Sequence, residues 1–360
     1  MRHIELLVKP ASGRCNLDCK YCFYHDIARR RRVADAGFMK LPVMRGILEG
    51  IHKSGAETCT LGFQGGEPLM VGLEFFREMV GMAQKYAPGT RFSFTVQTNG
   101  LLVDEDWAGF FAGHGFLVGV SLDGTRQVHD AYRGAGTYDK VMAAVGLLRE
   151  KGAALNILSV VTDTLADNIA EVYRLYRANR FDHLQFIPCL DALGTGGPRY
   201  FLSAQKYGDF LKALFDLWYA DILEGRDVSI RYFEDLLLAA CGVTPPSCTL
   251  RGGCAMQFVT EADAAVYPCD FYALDEYALG NLTKDTPDEL MRRFLQSDFY
   301  TSSKNMDEAC RSCAYLRLCG GGCRRHHIRG KDRFCGAYRA FFGHALPRIL
   351  SIAEAVMPLG

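Results

Sequence analysis

From residue 4 to about residue 190, short apolar runs alternate with longer amphipathic ones. The runs at 4–8, 58–63, 91–97, 117–122, 155–161 and 184–187 are rich in Val, Ile, Leu and Phe. Such short, nearly continuous apolar stretches are expected of strands buried on both faces of a sheet. Between them, the segments 41–52, 73–86, 104–112, 138–151 and 167–178 repeat apolar residues at helical spacing. Asp104 and Thr137 stand where helix N-caps belong, with side-chain oxygens able to accept from the first unpaired N–H groups. Six strands alternating with helices predict βα units and an α/β fold with a parallel sheet. Right-handed crossovers curl such a series into a full or partial (β/α)6 barrel, although alternation alone does not separate a barrel from an open doubly wound sheet.

After about residue 191 the pattern changes. The stretch 191–199, DALGTGGPR, reads as a loop, and two helical segments follow at 204–223 and 232–240. Pro245-Pro246 then breaks the chain and a cysteine-rich region begins. Within it, 258–260 and 265–267 flank Glu261-Ala262-Asp263-Ala264 and predict a hairpin, and 338–356 reads as a closing helix. This suggests two domains, 1–230 and 231–360.

Composition narrows the function. Hydrophobic residues make up 49% and charged residues 23%, which suits a soluble globular enzyme. Lys+Arg and Asp+Glu both total 41, so binding to nucleic acid or an anionic membrane through bulk charge is not expected. The run Arg29-Arg30-Arg31-Arg32 is a local exception and reads as a solvated face. No stretch approaches the roughly 20 apolar residues of a membrane helix. The opening MRHIELLVKPASG lacks the apolar core and cleavage site of a signal peptide, so a cytoplasmic location is expected. In a reducing compartment 14 cysteines point to metal rather than disulfides. Cys59, Cys189 and Cys241 stand apart from the clusters and read as small core residues.

Cys15, Cys19 and Cys22 form C-x3-C-x2-C directly after the first strand. Thiolates are soft ligands for iron–sulfur clusters and for zinc. Three on one loop can hold three irons of a four-iron cluster and leave the fourth open to a ligand. A structural zinc site is the alternative, with His25 available as a fourth ligand. Gln64-Gly65-Gly66-Glu67-Pro68 follows the second strand, where glycines let the backbone approach a ligand closely. Cys248, Cys254 and Cys269 precede Cys310-x2-Cys313-x5-Cys319-x3-Cys323, with Cys335 following. Eight cysteines supply two four-thiolate sites, and spacing alone leaves clusters and zinc open.

The segment CNLDCKYC, residues 15–22, resembles the signature of the radical S-adenosylmethionine (SAM) superfamily, with an aromatic residue before the last cysteine. The resemblance implies a [4Fe–4S] cluster on Cys15, Cys19 and Cys22 whose open iron chelates SAM. Reductive cleavage of SAM would then supply a 5′-deoxyadenosyl radical. It also implies SAM contacts from Tyr21, Gly66, Ser121, Arg133 and Leu190, at or near strand ends, where parallel α/β barrels carry their sites. The later cysteines resemble the SPASM domain, which holds two auxiliary [4Fe–4S] clusters. Carried over, Cys248, Cys254, Cys269 and Cys323 would bind the first, and Cys310, Cys313, Cys319 and Cys335 the second.

The stretches LLVKPASGRCNLDCKYCFY, FQGGEP, FLVGVSLDG, LQFIPCLD, LFDLWY, VSIRYF and VYPCDFY together resemble anaerobic sulfatase-maturating enzymes over nearly the whole chain. Those enzymes oxidise a cysteine or serine in a sulfatase active-site motif to Cα-formylglycine. The resemblance implies that Asp270, next to Cys269, is the general base, and offers Tyr24 and Gln64 for substrate positioning. It implies a sulfatase polypeptide or peptide as substrate and an electron donor such as flavodoxin or ferredoxin. Rival readings are another SPASM enzyme that modifies peptides, for example by thioether cross-linking, and a non-catalytic iron–sulfur or zinc module. The first favours an N-terminal recognition domain, and only 14 residues precede Cys15 here.

Overall fold

A computed structural model describes residues 1–194 and 201–356. Strands β1 (His3–Val8), β2 (Thr58–Phe63), β3 (Arg91–Thr98), β4 (Leu117–Ser121), β5 (Ala154–Val161) and β6 (His183–Pro188) fall within a residue of the six apolar runs at each end. Further along lie β7 (Ser229–Ile230), β8 (Val259–Thr260), β9 (Ala265–Tyr267) and β10 (Gly280–Asn281). Helices occupy Leu41–Lys53, Leu73–Tyr86, Glu105–Gly113, Thr137–Glu150, Ala204–Leu223, Arg231–Ala240 and Cys335–Val356, as the helical spacing predicts. The predicted loop 191–199 is irregular through 194, and residues 195–200 lie outside the described residues.

Asp104 caps its helix by accepting from the Trp107 N–H, but Thr137 does not cap. The cap position is Gly136, in the left-handed region at φ 74°, and the Thr137 hydroxyl donates to the Gly134 carbonyl at 2.7 Å, closing the preceding turn. The predicted helix 167–178 is present as Ile169–Ala178, and a separate short helix, Asp163–Asp167, ends just before it at Asn168. Asn168 leaves helical geometry and its side-chain amide donates back to the Thr164 carbonyl, a local bond that competes with the helix. The helices Phe23–Arg30 and Pro287–Gln296 did not stand out from periodicity. The second carries a readable signal nonetheless, a capping box between Thr286 and Glu289. No helix among the described residues is long and apolar enough to cross a membrane.

The chain divides into two compact units. The first comprises Met1–Ser121, Tyr132–Leu155 and Ala255–Phe299. Its strands lie in the order β10-β9-β8-β1-β2-β3-β4. β1 pairs in parallel with β2 on one side and β8 on the other, and β8, β9 and β10 run antiparallel in sequence. The predicted hairpin is therefore present, and it extends the sheet at the edge of β1. Val8 sits opposite Thr260, and the Lys9 N–H donates to the Thr260 carbonyl at 2.8 Å. This register brings residues 261–270 beside the loop that leaves β1. An aromatic core of Phe63, Phe76, Phe111 and Phe116, each almost fully buried, backs the sheet, with Phe63 and Phe76 rings 4.9 Å apart.

The second unit comprises Leu122–Ala131, Asn156–Cys254 and, in its described part, the chain from Tyr300. In it β5, β6 and β7 pair in parallel. Helix Ala204–Leu223 packs along helix Cys335–Val356. Phe215 joins them, its ring 5.3 Å from Phe233 and 5.8 Å from Phe341. Cys59 and Cys189 are buried as expected, whereas Cys241 is half-buried at a helix end, its thiol 3.9 Å from the Ala353 carbonyl.

Candidate active site

The chain leaves β1, runs through Cys15, Cys19 and Cys22, and enters helix Phe23–Arg30. The Gln64–Pro68 motif braces this loop. The Gly66 N–H donates to the Ser12 carbonyl at 3.0 Å and the Glu67 N–H to the Arg14 carbonyl at 2.7 Å. A Cβ on Gly66 would lie 1.9 Å from the Arg14 carbonyl oxygen, so only glycine allows the two backbones to touch. The Glu67 side chain is fully buried and accepts from Leu69 N–H, Asn99 N–H and the Thr98 hydroxyl. Burial pushes its carboxyl up to about 7 against those bonds. Asn99 passes the bracing on, its side-chain amide donating to Asn16 Oδ1 at 2.7 Å and lying 3.7 Å from Cys15 Sγ.

Of the residues expected to contact SAM, four lie on this unit. Tyr21 has its ring 5.8 Å from that of Tyr132, and the Arg133 guanidinium lies 5.5 Å over Tyr21. Arg133 is buried and within electrostatic reach of the Cys22 thiol. Gly66 touches the thiol loop as described, and Ser121 ends β4, its hydroxyl accepting from Gln97 at 3.1 Å. Leu190 belongs to the second unit, half-buried just beyond β6.

Tyr24, Gln64 and Asp270 converge. The Tyr24 hydroxyl donates to Asp270 Oδ1 at 2.7 Å, and the Gln64 amide donates to Asp270 Oδ2 at 2.7 Å. Gln257 accepts from the Asp270 N–H at 3.0 Å, fixing the turn that follows Cys269. The sequence reading missed the cation at the centre. Lys9 has no exposed surface, and its ammonium lies 2.7 Å from Asp270 Oδ1, 3.8 Å from Glu261 Oε1 and 4.0 Å over the Tyr24 ring. The Lys9–Asp270 approach has ion-pair distance without the alignment of a hydrogen bond.

Arg31 completes the group by pairing with Glu261, and Ser12 donates to Glu261 at 2.9 Å. Burial alone would push the Glu261 carboxyl up, but Lys9 and Arg31 together hold it below the usual carboxylate range. Arg31 therefore departs from the solvated face expected of the arginine run. It is buried because helix Phe23–Arg30 ends just before it and the chain turns toward Glu261. Two buried cations are thus matched by two buried anions, the arrangement that makes such burial tolerable.

The remaining cysteines bear on cofactor fit. Cys269 lies on the first unit beside Asp270. On the second, Cys248 and Cys254 lie within electrostatic reach of Cys323, whose thiol burial pushes up to about 12. Cys310, Cys313, Cys319 and Cys335 line one cavity of about 560 Å³ with Tyr315, Lys331, Tyr338 and Arg339. No three His, Cys, Asp or Glu side chains among the described residues converge closely enough to hold a single metal ion. The four thiols surround a space instead, a donor set that suits an iron–sulfur cluster. Nearby, the Tyr232 hydroxyl is buried with no partner among the described residues and is within electrostatic reach of Cys319.

A parallel α/β sheet whose first strand runs into a three-cysteine loop, braced by a Gly-Gly-Glu turn, is the arrangement of a radical SAM enzyme, and the radical SAM superfamily model matches residues 10–176. The chain is 40% identical to the cysteine-type anaerobic sulfatase-maturating enzyme of Clostridium novyi (strain NT), over 99% of each chain. It is 29% identical to the serine-type enzyme of Bacteroides thetaiotaomicron, over 96% of this chain and 90% of that one. Its fold matches the solved structure of native anSMEcpe with bound AdoMet and Kp18Cys peptide at a TM-score of 0.92, with 39% identity over 98% of this chain and 99% of that one. The chain belongs to the anaerobic sulfatase-maturating enzymes.

Proposed function

We propose that this enzyme converts a cysteine in a sulfatase active-site motif to Cα-formylglycine, with Asp270 as the general base. The observation that carries the role of Asp270 is its setting, a buried carboxylate gripped by Tyr24, Gln64 and Lys9 directly after Cys269. When bound, SAM and the cluster on Cys15, Cys19 and Cys22 supply the adenosyl radical that removes one Cβ hydrogen atom from the substrate. Tyr21, Gly66, Ser121, Arg133 and Leu190 bind SAM in this reading. The chain's own task is then to take the thiol proton as one electron leaves the substrate for an auxiliary cluster. The carbon–sulfur product, a thioaldehyde, exchanges with water to give the aldehyde and hydrogen sulfide.

The accepting atom is Asp270 Oδ2. Oδ1 already faces the Tyr24 hydroxyl and Lys9, whereas among the described residues Oδ2 receives the Gln64 amide alone. Cys269, with Cys248, Cys254 and Cys323, would hold the first auxiliary cluster next to the base, and Cys310, Cys313, Cys319 and Cys335 the second. Clusters held there would accept the electron that the substrate loses, and a small carrier such as flavodoxin or ferredoxin would supply the electron that starts each cycle. The setting is the reducing cytoplasm, where the eleven clustered cysteines stay reduced and available as ligands.

The higher identity to cysteine-type relatives, 40% against 29%, favours cysteine over serine as the target. Anaerobic incubation with SAM, a reductant and matched peptides bearing Cys or Ser tests this. Mass spectrometry with hydrazine trapping should find the aldehyde formed faster from the cysteine peptide. SAM cleavage with neither peptide altered would overturn the proposal.

A further inference from the structure

The segment between Cys323 and Cys335 does more than space two ligands. Arg333, on this segment, reaches the end of β6. Its Nη1 lies 3.1 Å from Asp191 Oδ2 and donates to the Leu202 carbonyl at 3.2 Å, while Nη2 donates to the Cys189 carbonyl at 3.0 Å. Arg325, on the same segment, donates to the Asp191 carbonyl. Two arginines thus hold residues 189 and 191, and Leu190 is the residue between them.

The segment is itself tied to the cysteines. Asp332 accepts from the Cys323 N–H at 3.1 Å through one oxygen and from the Phe334 N–H at 2.7 Å through the other. A Cβ on Gly322 would lie 2.1 Å from the Asp332 carboxylate, so glycine there admits the tie. Cys323 is thus tied by its own backbone to Asp332, the residue just before Arg333. A guanidinium can bond a carboxylate and two carbonyls at once through its fixed fork, which a lysine ammonium cannot imitate.

We propose that Arg333 is a positioning residue that couples the auxiliary-cluster cysteines to the strand end presenting Leu190, so that SAM binding and the state of an auxiliary cluster are linked. This rests on the reading of Leu190 as a SAM contact. Linkage is reciprocal, so SAM must change the reduction potential of an auxiliary cluster if that cluster's state changes SAM affinity.

The test uses the reconstituted full-length enzyme. SAM affinity is measured by anaerobic equilibrium dialysis, and auxiliary midpoint potentials by redox titration with and without SAM. In the wild type, SAM should shift at least one auxiliary potential. Arg333→Ala and Arg333→Lys should weaken SAM binding by about 5- to 20-fold, within the usual range of such couplings, and abolish the shift at wild-type iron and sulfide content. Affinity within about twofold of wild type in both variants, or a shift that persists, would overturn the coupling. Absence of any shift in the wild type would overturn it without a variant. Leu190→Ala separates the two ideas. If it leaves SAM affinity unchanged, the SAM-contact reading has failed; if it weakens binding while the Arg333 variants do not, only the coupling has.

Discussion

A lysine with no exposed surface must meet its counter-charges inside the protein, and Lys9 meets Asp270 and Glu261. Removing one partner of a buried ion pair leaves the other uncompensated, at a cost of roughly 3–5 kcal/mol. Lys9→Met should therefore lower stability by about that amount in anaerobic denaturant unfolding. Lys9→Met with Asp270→Asn should lose less than the sum of the two single changes, because together they remove both charges. Strict additivity would mean that the two groups do not interact.

Glu67 gives a pH-dependent counterpart. Its folded carboxyl titrates at about 7, above its ordinary value of 4.5. A raised folded value favours the protonated native state, so the contribution is complete below about 4.5 and is lost as pH rises through about 7. Wild-type thermal stability should fall between about pH 4.5 and 7 by more than that of Glu67→Gln, whose side chain does not titrate. Parallel curves for the two proteins would contradict this. The variant should also be less stable at its best pH, by about 1–3 kcal/mol, because its amide nitrogen faces a donor.

At the scale of elements, what the chain revealed in advance was what depends on local pattern. Six short runs rich in Val, Ile, Leu and Phe became β1 to β6, but burial alternates along β1, where Ile4, Leu6 and Val8 are buried while His3 and Glu5 are exposed, so the sheet is not covered evenly on both faces. Periodicity is silent on the helix ends, which short-range polar bonds decide. The Asn168 amide bonds back to Thr164 between two helices, and Thr137 closes a turn in place of capping. The strands β8 and β9 are only two and three residues long, yet flanking apolar pairs around a turn made them readable.

Lys9 and Arg31 were not readable as site residues, because their partner Glu261 lies more than 200 residues away. Only the pairing of β8 with β1 brings them together. A lysine directly after a buried strand, and one arginine among four, carry no local sign of that. The motif residues Tyr24, Gln64 and Asp270 were legible through family resemblance, and it took the hairpin to place the three side chains on one another.

On the scale of the whole molecule, eleven cysteines cluster as three near the N-terminus and eight between Cys248 and Cys335. Thiols pushed up by burial, such as Cys15, Cys22, Cys319 and Cys323, must lose protons to bind iron. Cluster incorporation into the apoprotein should accordingly proceed further at pH 8.5 than at pH 6.5, at about equal iron and sulfide supply. Iron per chain and the visible absorption of the clusters measure this, and a pH-independent yield would mean that the thiols are not the limiting groups.

In the proposed reaction, radical formation and proton removal are separate tasks, and the second falls to Asp270. Asp270→Asn, given SAM, reductant and the cysteine peptide under anaerobic conditions, decides it through the ratio of aldehyde to 5′-deoxyadenosine. Deoxyadenosine should form at close to the wild-type rate while aldehyde falls by about 10²- to 10⁴-fold, the usual contribution of a general base. Aldehyde formed in wild-type proportion to deoxyadenosine would contradict the account.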